Sequence, residues 1–293
     1  MLIKCIYAAR IVAIALCTGW LCGAACAQQR PDVPYVPTPW NVVDAMLDAA
    51  KVNADDYLID LGSGDGRLVI TAATRRGARA TGVELNPNLI TTANSEAARN
   101  NIRAKVDFVN ANLYAFDFTR ATVLTMYLLP NINLDLRPRI LTGLKPGTRI
   151  VSHDFDMGRW RPDGQREVAV PDKPYGPPVS QVYLWYVPAH VAGKWQWRMP
   201  AGDAAAEVTF RQTFQQLTAD ASLQGGKATV ESAKLQGDAI AFTVVPDGAG
   251  GARVYQFSGR VDGDKIAGTV KTGDDLSYDW QATRIQRGQM AIE

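Results

Sequence analysis

Asp60-Leu61-Gly62-Ser63-Gly64-Asp65-Gly66-Arg67 sets three glycines at alternate positions, with acids before and among them, directly after the apolar run Tyr57-Leu58-Ile59. Glycines spaced this way let a backbone turn sharply and approach a ligand closely. The following apolar stretch, Leu68-Val69-Ile70-Thr71-Ala72-Ala73, would start a helix whose free N–H groups point into the same space. A dinucleotide fingerprint would need its third glycine at position 67, where Arg67 stands. A second acid is expected about 20 residues on, at the end of the next strand, to hold ribose hydroxyls. Thr81-Gly82-Val83-Glu84 puts Glu84 there. Further along, His153-Asp154-Phe155-Asp156 follows the strand-like Arg149-Ile150-Val151-Ser152. Ligands bind at the carboxyl ends of strands in open sheets, and a histidine there could titrate near neutral pH. This makes His153 and Asp154 the best acid/base candidates, the alternative being a salt-bridged loop cluster.

Gly-x-Gly-x-Gly with Asp60 two residues before it resembles motif I of the class I S-adenosylmethionine-dependent methyltransferases. That ligand carries no pyrophosphate, so the loop need only wrap an amino-acid moiety and a ribose. The resemblance implies a cofactor site built from Asp60, Gly62, Ser63, Gly64, Asp65, Gly66 and Glu84. Val106-Asp107-Phe108-Val109-Asn110-Ala111-Asn112-Leu113 looks like the third strand and the loop that meets adenine, so Asn112 and Leu113 join the implied site. Asn112 stands where the family usually has Asp; its carbonyl oxygen can accept the same bond, or it can bond its own backbone. Val36-Pro37-Thr38-Pro39 is similar to the Val-Pro-Ala-Thr element of a group that includes lysine methyltransferases of mitochondrial membrane proteins. By that resemblance Tyr35 and Thr38 line the cofactor mouth; the alternative is a proline-stiffened linker. The resemblance covers roughly residues 33–187. It implies methyl transfer from S-adenosylmethionine to an amine, with a protein lysine as the suggested acceptor; 31 Lys+Arg against 29 Asp+Glu speaks against a nucleic-acid partner. Such a displacement starts from an activated leaving group, so the protein must mainly bind, align and exclude water. A general base helps when an ammonium must first lose a proton. His153, Asp154 and Tyr127 are the catalytic candidates, and Asn131 would help shape the acceptor side. Asn/Asp-Pro-Pro-aromatic is absent after the fourth strand, and so is an acid there, which disfavours a metal-dependent reaction.

The elements needed to position these residues are legible as periodicity. Strand-like runs at 57–61, 79–84, 105–110, 121–128, 147–153 and 180–187 alternate with helical stretches at 39–51, 66–76, 87–100 and 132–144. Alternation of this kind predicts an α/β, Rossmann-like domain with a parallel sheet and an antiparallel pair at its edge. After Ala192 the texture changes to short runs at 194–198, 206–214, 228–233, 239–245, 252–260, 264–270 and 278–285, separated by Gly/Asp turns. These predict a small all-β barrel or sandwich, in which Trp195, Trp197 and Trp280 either form a binding face or fill the interior. The similar segments 235–242 and 261–268 read as two hairpins of that one unit.

Lys4 and Arg10 precede an apolar run over residues 11–27, and Ala25-Cys26-Ala27 offers a small-x-small cleavage site. This pattern predicts a secretory signal at 1–27, a methyltransferase domain at 28–192 and a β-domain at 193–293, with an uncleaved membrane anchor as the alternative. Membrane contact is expected only through that N-terminal segment. Its removal takes away two of the 31 Lys+Arg, none of the 29 Asp+Glu and all four cysteines. The remaining chain is charge-balanced and has no thiol chemistry, no Cys-ligated zinc and only His153 and His190, so no metal site is expected. Export conflicts with a cofactor made in the cytosol. That conflict motivates a second function: an exported, non-catalytic envelope protein using the fold for ligand binding or as a scaffold.

Overall fold

The computed structural model describes residues 35–174, 176–199, 205–247, 254–273 and 276–293. The predicted signal segment, its cysteines and residues 28–34 lie outside the described residues. Helix α1 (Trp40–Ala49) buries Val42, Val43, Met46 and Leu47 on one side, the 3–4 spacing seen in the sequence. Strands β1 (Tyr57–Leu61), β2 (Arg79–Glu84), β3 (Val106–Asn110), β4 (Val123–Met126) and β5 (Arg149–His153) are parallel and lie in the order β3-β2-β1-β4-β5. Between them run α2 (Arg67–Arg76), α3 (Pro87–Arg99) and α4 (Pro130–Gly143). The starts of α2 and α3 follow from their local sequence. Gly66 supplies the left-handed turn into α2 at φ +79°. Asn86 caps α3 by accepting from the Asn88 N–H, with Pro87 in the first turn.

The sheet's far side differs from expectation. Strand β7 (Val179–Tyr186) pairs antiparallel with β5, as the sequence predicts, but it is an inner strand. The edge is β6 (Gly164–Ala169), a mostly exposed, polar hairpin partner of β7. Its sequence, Gly164-Gln165-Arg166-Glu167-Val168-Ala169, has no apolar periodicity because most of its residues are exposed and Val168 is its one core contact, so it left no signal.

Strands β8 (Gly193–Arg198), β9 (Ala205–Thr213), β10 (Gln216–Leu223), β11 (Gly226–Gln236), β12 (Ala239–Pro246), β13 (Tyr255–Asp262), β14 (Lys265–Lys271) and β15 (Ser277–Arg287) follow. Each pairs antiparallel with the next, β15 returns to β8, and among the described residues the eight close into a barrel. The barrel form thus prevails over the sandwich. In this half of the chain two further strands have no counterpart among the predicted runs: β10, and the two-residue β16 (Met290–Ala291), which pairs parallel with the end of β9. Trp195, Trp197 and Trp280 are 0%, 3% and 3% exposed. They pack with Phe210, Phe242 and Phe257 in the barrel core, so of the two readings they fill the interior and form no binding face. The indoles lie on the inward face of strands whose intervening residues are largely solvent-facing.

The described residues fall in one compact unit, and sheet and barrel share a packed boundary. Phe214, in the turn between β9 and β10, is buried in the sheet's own apolar cluster. There it stacks on Trp160 (ring centroids 6.2 Å apart, 12° between planes), with the Arg137 guanidinium 5.3 Å from its ring. Gln212 is buried beside it and uses its whole amide: Oε1 accepts from the Val191 and Ala192 N–H groups, and Nε2 donates to the Ala189 and Phe214 carbonyls.

Candidate active site

The glycine loop leaves β1 and turns three times through left-handed backbone, at Gly62 (φ +75°), Gly64 (φ +55°) and Gly66 (φ +79°). A Cβ on Gly66 would meet Phe108 at 2.6 Å and Ala93 at 2.8 Å, so this glycine lets α2 and its neighbours close up. A Cβ on Gly64 would lie 2.6 Å from the Tyr35 ring, so the upstream segment covers the loop directly.

Glu84 sits at the end of β2 and ties two turns together. Its carboxylate accepts from the Gly64 N–H at 3.0 Å and from the Asn86 N–H at 2.8 Å. Asp60 lies beneath, 6% exposed, paired in register with Thr125 of β4, whose hydroxyl donates to it at 2.7 Å. Burial pushes the Asp60 carboxyl up to about 7; the Thr125 bond opposes this, while the charges of Glu84 and Asp65 add to it. Three carboxylates therefore crowd one cradle, and a cationic ligand would relieve their repulsion. The Ser63 hydroxyl is buried there with no protein partner.

Arg67, where a dinucleotide motif would have glycine, closes the mouth. Its guanidinium is held on Asp65 at 2.7 Å, donates to the Thr38 carbonyl at 2.8 Å and lies 4.9 Å from the Trp40 ring centroid. Burial of Asp65 disfavours its charge, but Arg67 outweighs this and holds the carboxyl below its ordinary value. Tyr35 and Thr38 are thus pinned over the loop. The Thr38 hydroxyl is also 3.4 Å from His153 Nδ1, linking the mouth to the second cluster.

That cluster stands at the carboxyl ends of β4 and β5. The neighbour of Tyr127, Leu128, packs against Gly62, where a Cβ would be 2.9 Å from its side chain. The Tyr127 and His153 rings lie 3.8 Å apart. His153 Nε2 is 2.9 Å from the Ser180 hydroxyl and 3.4 Å from the Asp154 carboxylate. Asp154 takes a left-handed conformation (φ +60°) and accepts from the Gln181 N–H at 2.9 Å, which turns its second oxygen toward Tyr127 (3.5 Å) and Lys173 (2.7 Å). Burial pushes the Tyr127 hydroxyl up to about 12, helped by the Asp154 charge. The expected neutral-pH titration of His153 is corrected: burial drives it down to about 4 despite Asp154, because the ring is 1% exposed. His153 is a neutral, positioned ring under Tyr127.

A family model described as the ANTKMT methyltransferase domain matches residues 60–164. A protein-lysine N-methyltransferase of Saccharolobus islandicus (strain REY15A) is 43% identical over 161 residues, 55% of this chain and 97% of that one. This chain belongs to that methyltransferase family. The adenine nucleotide translocase lysine N-methyltransferase of Mus musculus is 33% identical over 134 residues, 45% of this chain and 58% of that one, so the match spans little more than half of that relative. A Salinibacter ruber RNA methyltransferase, solved with S-adenosyl-L-homocysteine, is 46% identical, covering 53% of this chain and 96% of that one at a TM-score of 0.48.

The methyltransferase uses S-adenosylmethionine, and the residues present fit it. Close-approach glycines, a ribose-distance acid and an excess of negative charge suit a ligand that carries both an ammonium and a sulfonium. Asn112 and Leu113 follow β3; the Asn112 side-chain oxygen accepts from the Tyr114 N–H at 2.9 Å, the backbone alternative raised for it. Leu113 packs against the sheet's apolar cluster. Thr125, Ser180 and Lys173 were missed. A lone polar residue in the apolar run Val123-Leu124-Thr125-Met126 was a usable signal for Thr125. Nothing marked Lys173, which reaches Asp154 from the loop between β6 and β7.

Proposed function

We propose that this enzyme methylates the ε-amine of a protein lysine, with Asp154 and Tyr127 receiving the acceptor's ammonium beside the cofactor loop. The carrying observation is the Asp154 carboxylate, 14% exposed, braced by the Gln181 N–H and facing a tyrosine hydroxyl one strand end from Gly62. In this reading Asp60, Gly62 to Gly66 and Glu84 hold the cofactor, Asn112 and Leu113 border its base, and Tyr35 and Thr38 close over it. The cofactor supplies a methyl group on a positively charged sulfur that is ready to leave. An acceptor ammonium would pair with Asp154 and give up a proton to it, and Asp154 and Tyr127 would hold the resulting neutral amine facing the cofactor loop. His153 holds the Tyr127 ring and remains neutral. Identity to a protein-lysine methyltransferase supports a protein acceptor.

The test uses radiolabelled S-adenosylmethionine with two acceptor pools, lysate protein and total RNA. Methyl-lysine in acid hydrolysates is expected, and Asp154→Asn should lower its rate by about 10²-fold or more, as for a lost proton acceptor. Label in RNA and none in protein would overturn the lysine reading. We further propose that residues 1–27 export the chain and that 28–192 and 193–293 are two domains packed on a shared apolar boundary. The basic, apolar and small-x-small order of the leader supports export.

A further inference from the structure

The Asp154 seat already holds a lysine. Lys173 lies in the loop between β6 and β7, and its side chain is 12% exposed. Its ammonium sits 2.7 Å from the Asp154 carboxylate and donates to the Val179 carbonyl at 2.7 Å, so a carboxylate and a carbonyl grip one –NH3+ beside the Tyr127 hydroxyl. The groups facing it come from four places: Tyr127 after β4, His153 and Asp154 at the end of β5, Val179 at the start of β7, and its own loop. This is the chemistry that would recognise the ε-ammonium of a substrate lysine: a charge-assisted acceptor and a second acceptor on one –NH3+.

We infer that Lys173 is an internal stand-in for the substrate, occupying the acceptor-ammonium seat until a substrate lysine displaces it from Asp154. The inference rests on the lysine-methyltransferase reading and deepens it. When Lys173 is seated, its ammonium occupies the Asp154 oxygen that an acceptor's ammonium would need, so a wandering amine finds no seat. A protein substrate with contacts elsewhere on the surface can compete, because its lysine arrives at high local concentration. Specificity then comes from the whole substrate rather than from the amine alone.

The experiment measures binding of n-butylammonium, a lysine side chain without its backbone, to the full chain loaded with S-adenosylhomocysteine. Binding of S-adenosylhomocysteine is measured first; its failure would remove the methyltransferase reading and the inference together. With that complex formed, Lys173→Met should bind n-butylammonium about tenfold more tightly than the wild type, as for a seat that is otherwise nine-tenths occupied. Lys173→Arg should bind like the wild type, and Lys173→Met with Asp154→Asn should lose the gain. An affinity in Lys173→Met equal to or weaker than wild type overturns the inference and leaves the methyltransferase reading standing, with Lys173 a structural ion pair. If Lys173→Met does not fold, the wild type decides: the Lys173 ammonium resonance in lysine-selective NMR should shift on titration with n-butylammonium. An unmoved resonance overturns the inference.

Discussion

Asp60 and His153 show how burial sets charge at the residue scale. Both are nearly inaccessible, and both favour their neutral forms: the carboxyl rises to about 7 and the imidazole falls to about 4. Their effects on stability oppose each other. The native state binds the Asp60 proton more tightly than the unfolded chain, whose carboxyl titrates near 3.8, so this group lowers stability as pH rises from about 4 to 7. His153 is harder to protonate in the native state than in the unfolded chain, where it titrates near 6.5. Its contribution is therefore present above about pH 6.5 and is lost as pH falls toward 4. Because the windows overlap, the readout is a difference. Asp60→Asn keeps an oxygen for the Thr125 hydroxyl and should make the ligand-free protein more stable than wild type above pH 7, by a few kcal/mol for a shift of about three pKa units. Below about pH 4 the two should coincide. Thermal unfolding of both proteins from pH 4 to 8 checks this, and parallel curves would refute it. A cationic cofactor favours the carboxylate, so wild-type affinity should rise through pH 7 and the variant's should not.

At the scale of elements, the turn between β9 and β10 does an unusual job. Phe214 has φ +53°, a conformation that an L side chain adopts at a cost of about 1–2 kcal/mol, where a hairpin would ordinarily place glycine or asparagine. The cost is offset by the ring, which is buried against Trp160 under Arg137. Phe214→Ala should destabilise by about 3–5 kcal/mol, the usual loss for a buried aromatic. Phe214→Gly should recover about 1 kcal/mol of this by relieving the backbone. Urea unfolding followed by tryptophan fluorescence measures both; a glycine variant less stable than the alanine variant would show that the backbone strain is not real. The same turn explains why β10 was missed: a phenylalanine and two glutamines carry no turn signal, so the sequence reads through the corner.

For the whole molecule, the barrel completes the sheet's apolar side. Phe214 and Ile292 enter the sheet's apolar cluster, and Gln215 donates to the Arg161 carbonyl at 2.7 Å. The Gly237 turn packs so closely on Gly147 that a Cβ there would come within 2.8 Å of it. A chain ending at Ala192 should therefore leave Trp160 and its neighbours uncovered. It should bind an apolar dye and self-associate where the full chain stays monodisperse. A truncated chain with unchanged dye binding and size by light scattering would show the boundary to be incidental.

The sequence alone determined the parallel strands, their helices and the cofactor loop, since these depend on short-range rules: apolar period, glycine spacing, and an acid one strand away. Glu84 could be placed by counting from Gly62 because one βαβ step has a nearly constant length. The tertiary structure decided everything that needed two distant segments to meet. It set Thr125 against Asp60, clamped Thr38 with Arg67, brought Lys173 to Asp154 and buried His153 out of its neutral-pH role. It also placed the barrel's tryptophans indoors and Phe214 in the neighbouring core. The physical reason is common to all: burial and charge are properties of what surrounds a residue, and those surroundings are assembled only when the chain folds back on itself.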